Sequence, residues 1–329
     1  MATFKAACVQ LNSGNDMTVN LRAAGDGVRN AVEQGAQLIM LPEYVALLDG
    51  SGRVMRENSY PESAHPALLA FQVLARETRA WLLVGSLTVR TDGAPASSEQ
   101  GSRLRDANVR ESGAAPLSAG VASVSGVTSP KGAPVPPSDG ARMANRSYLL
   151  SADGTIVARY DKIHMFDVTL PSGKVIRESS AYRPGERAVI APTPWGPLGM
   201  TVCYDLRFPH LYRALAKAGA MFLAVPSSFQ RETGVAHWHA LLRSRAIENL
   251  SYVFAPAMCG DHPGNRMTYG HSLIIDPWGK MLAELGDEPG VAVAEVNTDE
   301  VARVRGMLPS LEHDREFASP PSGIGERAR

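Results

Sequence analysis

The segments "LIML" (38–41) and "WLLVGSL" (81–87) are apolar runs, each preceded by residues at helical spacing. A strand buried on one face alternates apolar with polar side chains. A continuously apolar strand must be covered on both faces. Ahead of the first run, Val19, Leu21, Ala24, Val28, Ala31 and Val32 recur at helical spacing over 18–35, and Gly35 is a natural stop. A second helix is expected over about 66–79. With "FKAACVQL" (4–11), these form strand–helix–strand units, and therefore an α/β fold whose helices shield its sheets.

The pattern breaks at 91–144, which has no aromatic residue and is dominated by Ala, Ser, Gly and Pro. Such a composition buries too little apolar surface to offset the entropy of ordering. It reads as a disordered or loosely packed insertion. The alternative is an interdomain linker; against it, the strands before it are too few to close a domain alone. Order resumes with "RSYLLSADGTIVARYDKIHMF", a hairpin about Asp153–Gly154. "GPLGMTVCYD", "MFLAVPSSF" and "SYVFAPAM" then read as strands. They alternate with the helices "PHLYRALAKAGA", with Pro209 in its first turn and Gly219 at its end, and "VAHWHALLRSRAIENL". "HSLIIDPWGKMLAEL" is a hairpin about Pro277–Gly279, and "GVAVAEVN" is the last strand. The expected layout is one domain over 1–300, interrupted at 91–144, with a short helix and a Pro/Gly-rich tail over 301–329.

Charge excludes two classes of partner. Lys plus Arg and Asp plus Glu both number 33, so there is no electrostatic case for nucleic acid or an acidic membrane face. No apolar run approaches the roughly 18 residues of a membrane span. The opening "MATFKAACVQLN" alternates like a strand and lacks a signal peptide's apolar stretch. Cys8, Cys203 and Cys259 are the three cysteines, with no CxxC pair. That usage fits a reducing cytoplasm.

Cys203 closes a predicted strand and precedes a helix. In open α/β sheets, sites form at the carboxyl ends of strands, and a backbone N–H after such a residue can donate to an oxyanion. Cys259 also closes a predicted strand, so position alone does not choose between the two; Cys8 lies mid-strand, in the core. A thiol nucleophile needs a base and charge stabilisation. His237 and His239 sit two apart on a predicted helix and face different ways, a poor metal pair, and there is no HExxH. "YGHSLI" (269–274) has Ile274 where the GxSxG elbow has its last glycine, and it enters a strand rather than a helix. Glu43, immediately after "LIMLP", and Lys162, after "VARYD", stand at strand ends too. A carboxylate and an ammonium beside a thiol can act as base and oxyanion partner.

"LPEY" with Glu43, "YDKIHMFDV" with Lys162 and "VCYDLRFP" with Cys203, in that order, resemble the nitrilase or carbon–nitrogen hydrolase superfamily. The likeness continues through "PSSFQRETGVAHWHALLRSRAIEN" and "YGHSLIIDPWG", covering nearly everything outside 91–144. The wording is most similar to the branch of omega-amidases and deaminated-glutathione amidases. The resemblance implies a four-layer α-β-β-α sandwich, usually paired into a homodimer or higher homo-oligomer. It also implies hydrolysis of a small, carboxylate-bearing amide through a Cys203 thioester, without metal or cofactor. Glu43 is then the general base, Lys162 the oxyanion partner, Cys203 the nucleophile, and Glu178 a second glutamate that orients Lys162. Tyr204 would add a backbone oxyanion donor, Arg207 would hold the substrate's carboxylate, and Phe229 and Thr233 match other pocket positions. The remaining alternatives are N-carbamoyl hydrolysis and, in a different class, a catalytically silent partner-binding scaffold. The insertion is longer than the family's usual connection, and His210 stands where the branch often has glutamate.

Overall fold

The computed structural model describes residues 3–91 and 142–318. Its first half runs β1 (Thr3–Gln10), α1 (Met17–Glu33), β2 (Leu38–Met40), α2 (Arg53–Glu57), α3 (Pro66–Thr78) and β3 (Trp81–Arg90). Then come β4 (Met143–Leu150), β5 (Ile156–Asp161), β6 (Asp167–Thr169), β7 (Val175–Arg177), β8 (Val189–Ala191), β9 (Leu198–Met200), α4 (Pro209–Lys217) and β10 (Phe222–Ala224). The rest is α5 (Arg231–Asn249), β11 (Tyr252–Ala255), β12 (Cys259–His262), β13 (Arg266–Tyr269), β14 (Leu273–Ile275), β15 (Met281–Glu284), β16 (Gly290–Asn297) and α6 (Asp299–Met307).

The strands form two six-stranded sheets, ordered β16-β1-β2-β3-β4-β5 and β15-β14-β11-β10-β9-β8. Each has three parallel strands at its centre, β1-β2-β3 and β9-β10-β11, with antiparallel strands flanking them. β16 comes from the far end of the chain and pairs with β1 along its whole length. The first sheet therefore cannot be completed without the second half of the chain.

Strand alternation sorts the core into layers. In β1, Phe4, Ala6 and Cys8 face one cluster, shared with Phe222, Leu223 and Phe254 of the second sheet. Ala7 and Val9 face another, shared with Ala24 and Val28 of α1 and Phe71 of α3. Leu38 and Met40 against Ile39, and Leu83 against Leu82 and Val84, divide the same way, as a period of two requires. On the outer side of the second sheet, α4 packs on β9, and α5 on β11 and β14. The layers are thus α-β-β-α. Gly85 permits a close approach of the chain around it: a Cβ there would collide with the Leu41 carbonyl and lie 2.6 Å from Pro226, just beyond β10 of the second sheet.

Two expectations are corrected. Met143 and Ala144, placed in the insertion by composition, belong to β4 and are buried; residues 92–141 of that insertion, and 319–329 of the tail, lie outside the described residues. Cys259 does not close a strand: β11 ends at Ala255, and Cys259 opens the ribbon β12–β13. The terminal helix begins at Asp299 and buries Val301 and Val304. Among the described residues, no helix is long and apolar enough to cross a membrane.

Candidate active site

Three loops at strand ends converge between the sheets. Glu43 follows β2 across Leu41–Pro42, and Lys162 follows β5 directly. Cys203 lies just beyond β9 and opens a 3₁₀ turn over Cys203–Arg207. The Cys203 backbone has φ +49°, a left-handed conformation rare outside glycine that costs on the order of 1–3 kcal/mol. Its surroundings hold it there. The Cys203 N–H donates to the Pro226 carbonyl at 2.9 Å. Buried Asp205, two residues on, accepts from the Val202 N–H (2.9 Å), the Tyr160 hydroxyl (2.7 Å) and the His164 N–H (3.0 Å). Since Tyr160 and His164 flank Lys162, Asp205 ties the lysine's loop to the cysteine's turn. It makes no ion pair with Arg207 among the described residues.

The polar groups interlock. Lys162 Nζ donates to Glu43 Oε1 at 3.1 Å and to both oxygens of Glu178, at 3.0 and 2.8 Å. Asn145 Nδ2 reaches Glu43 Oε1 at 2.8 Å and Glu178 Oε1 at 3.3 Å. The Ser228 N–H holds the other Glu43 oxygen at 2.9 Å, and the Tyr44 hydroxyl and Phe166 N–H hold Glu178. Exposure is 1 % for Glu43, 2 % for Lys162 and 8 % for Cys203, so the charges meet away from water while the sulfur stays reachable.

Electrostatics follow from that burial. Burial alone would lower the Lys162 pKa, but the Glu178 and Glu43 carboxylates outweigh it and hold the ammonium protonated well above its ordinary range. Burial would raise Glu178, but Lys162 and the donors around it carry it below the usual carboxylate value. The Cys203 thiol is pushed up, first by burial and then by the charge of Glu43. The resting sulfur is therefore a thiol, with the Glu43 carboxylate near it as a base. Such an arrangement can deliver a nucleophile when an electrophile arrives, with an ammonium beside the charge that develops.

A cavity of about 260 Å³ opens over this cluster. Glu43, Lys162, Glu178, Cys203, Tyr204, Phe229 and Thr233 all line it. Arg207 does not. Its guanidinium lies 5.2 Å from the Phe229 ring centre and 5.9 Å from that of Tyr204, and it meets His237 Nδ1 at 3.3 Å. It braces the outer side of the pocket wall. "YGHSLI" is structural: Ser272 is buried, its hydroxyl accepting from the Ala257 N–H. Away from the cavity, His239, His271 and Glu284 bring ligand atoms within 4.8 Å of one another, a set that could hold a cation. Here His239 Nε2 and Glu284 Oε1 are 2.6 Å apart.

The carbon–nitrogen hydrolase family model matches residues 5–108 and 114–306. The chain belongs to the carbon–nitrogen hydrolase family. It is 35 % identical over 315 residues to a deaminated glutathione amidase of Synechocystis sp., covering 95 % of this chain and 98 % of that one. It is 33 % identical to a deaminated glutathione amidase of Yersinia enterocolitica, covering 97 % and 96 %. The crystal structure of Saccharomyces cerevisiae Nit3, a member of branch 10 of the nitrilase superfamily, superposes with a TM-score of 0.71 at 25 % identity, covering 93 % of this chain and 94 % of that one. In this carbon–nitrogen hydrolase, sequence reasoning missed Asn145, Tyr44, Ser228 and Arg266, all at or beside the site. Tyr44 and Ser228 adjoin readable motifs, in "LPEY" and "PSSF". Asn145 and Arg266 carry no local signal, because their neighbours in sequence are not their neighbours in space.

Proposed function

We propose that this protein is a cysteine-dependent amidase that hydrolyses the C–N bond of a small, carboxylate-bearing amide, of the 2-oxo acid amide or deaminated glutathione type. The observation that carries this reading is the buried contact set of Lys162, Glu43 and Cys203. The names of the similar proteins favour deaminated glutathione as the substrate type.

Cys203 Sγ attacks the amide carbonyl as Glu43 takes the thiol proton. The raised thiol pKa argues for transfer during attack rather than a standing thiolate. Lys162 and the Tyr204 N–H stabilise the oxyanion, and losing one such donor typically costs about 100- to 1000-fold in rate. The nitrogen leaves with the proton from Glu43, giving a Cys203 thioester. Glu43 then draws a proton from water, and its hydroxide oxygen displaces the sulfur, which recovers its proton. Glu178 orients Lys162. The reaction balances with water as the only co-reactant.

Cys203→Ala should abolish release of ammonia or amine while leaving the circular dichroism spectrum intact, and mass spectrometry of quenched enzyme should find the acyl group on Cys203. An adduct on Cys8 or Cys259, or unimpaired turnover by the alanine variant, overturns the reading. The proposal includes a cytoplasmic location and a second copy of the chain. Val235 and Ile247 on α5 are exposed apolar side chains, as is Trp278, whose neighbour Gly279 abuts Ile247. Light scattering should give at least a dimer; a monomer at assay concentration rejects that part.

A further inference from the structure

The cation expected to hold a substrate carboxylate, Arg207, is outside the pocket lining, but Arg266 is within it. Arg266 opens β13, after Gly264 (φ +76°) and Asn265 (φ +55°) turn the chain back toward the cavity. Its guanidinium lies 5.6 Å from the Tyr44 ring centre. Nη2 donates to the Ser228 hydroxyl at 3.0 Å and the Ser228 carbonyl at 3.2 Å. Beyond these the group is unmet: among the described residues it has no ion pair, and its buried Nε has no hydrogen-bond partner. His65, Asn145, Arg183 and Asn249 also carry buried polar atoms without partners, but only Arg266 of the five lines the pocket. A half-buried guanidinium with idle donors is costly unless something anionic completes it.

Ser228 sets the distance. Its N–H holds Glu43, and its carbonyl and hydroxyl hold Arg266. One residue therefore separates the general base from the guanidinium, and Cys203 and Arg266 line the same cavity. Lys174 also lines the pocket, its Nζ on the Asn265 carbonyl at 2.8 Å, and adds positive potential at the mouth.

We propose that Arg266 binds a carboxylate on the acyl side of the substrate, a few bonds from the carbonyl that Cys203 attacks. The inference rests on the amidase reading above and narrows it to short acids whose far end is the amide. The planar fork suits a carboxylate, and a charge-assisted contact of this kind corresponds to about 10- to 100-fold in affinity.

The test compares the ω-amide of 2-oxoglutaric acid with its methyl ester, which removes the charge and keeps the amide. Ammonia release is measured for wild type, Arg266→Gln, Arg266→Lys and Arg207→Gln, with thermal melts to confirm folding. Wild type should favour the acid. Arg266→Gln should raise KM for the acid by at least tenfold more than for the ester, Arg266→Lys should fall between, and Arg207→Gln should shift both substrates together. Equal losses on acid and ester in Arg266→Gln would assign Arg266 to positioning Ser228 and overturn the proposal, as would a selective loss in Arg207→Gln. A wild type that prefers the ester, or cleaves neither compound, rejects the carboxylate-bearing substrate itself and this inference with it.

Discussion

Asn145 has no acid–base chemistry, yet one Nδ2 group touches both glutamates of the site. Two carboxylates facing one ammonium leave an excess negative charge, and a neutral donor lowers its cost without competing for the proton. Hydrogen bonds to charged groups contribute about 1.5–3 kcal/mol. Asn145→Ala should therefore reduce kcat by about 10- to 100-fold with a smaller change in KM, measured by steady-state ammonia release. The three residues with motif neighbours, Glu43, Lys162 and Cys203, were legible because each stands where a strand ends, and strand ends are readable from apolar runs. Asn145 sits inside β4, in "MANRSYLL", where a polar residue in a strand gives no hint of what lies across the sheet. Arg207 shows the complementary limit of reading spacing from sequence. Four residues from the cysteine is one turn of an α-helix, but the chain there is a tighter 3₁₀ turn that carries the guanidinium behind Phe229.

β3 and β4 pair in antiparallel register down to Arg90 opposite Met143, and the Thr91 hydroxyl donates to the Arg142 carbonyl. The two ends of the 92–141 segment thus stand side by side, as the ends of a hairpin do. A turn of two to four residues containing glycine can close that gap. Loop length enters stability only logarithmically. A chain in which residues 92–141 are replaced by such a turn should melt within a few degrees of the parent and keep its kcat/KM; normal melting with no turnover would give the segment a part at the site. Elements of regular period were readable: the helices over 18–35 and 66–79 stand within two residues of α1 and α3, and the Asp153–Gly154 and Pro277–Gly279 hairpins are present. The ribbons β6–β7 and β12–β13 were not. Their strands are three or four residues long and half exposed, too short for a period to register; Arg266 opens β13, and Glu178 follows β7 in a 3₁₀ turn.

At the scale of the whole molecule, two buried histidines set the response to acid. Burial lowers both His65 and His262 to about 4, from an ordinary 6.5. His262 uses both ring nitrogens, Nδ1 donating to the Ser13 carbonyl at 2.8 Å and Nε2 meeting the Thr268 hydroxyl at 2.7 Å. Between pH 4 and 6.5 the unfolded chain binds protons that the folded one refuses, so stability is complete above about 6.5 and falls as pH drops toward 4. Glu178, with its depressed folded pKa, extends the loss below the usual carboxylate range. Urea melts at pH 7 and pH 5 should show this decline, and it should shrink in a His65→Gln, His262→Gln double variant. An unchanged difference between the two pH values would assign it to other groups.

Glu43 and Lys162 hang from the first sheet, and Cys203 and Ser228 from the second. Neither sheet alone carries a complete set, so turnover reports on the seating of one sheet against the other. In a chain of this size, secondary structure can form before tertiary packing is complete. During refolding from urea, the far-UV signal should return in an early phase, with ammonia-releasing activity recovered only in a later one. On the way out, activity should vanish at a lower urea concentration than the ellipticity does. Coincident phases in both directions would mean that the two sheets never exist apart. A delayed phase would make the enzyme its own clock for the last event in its assembly.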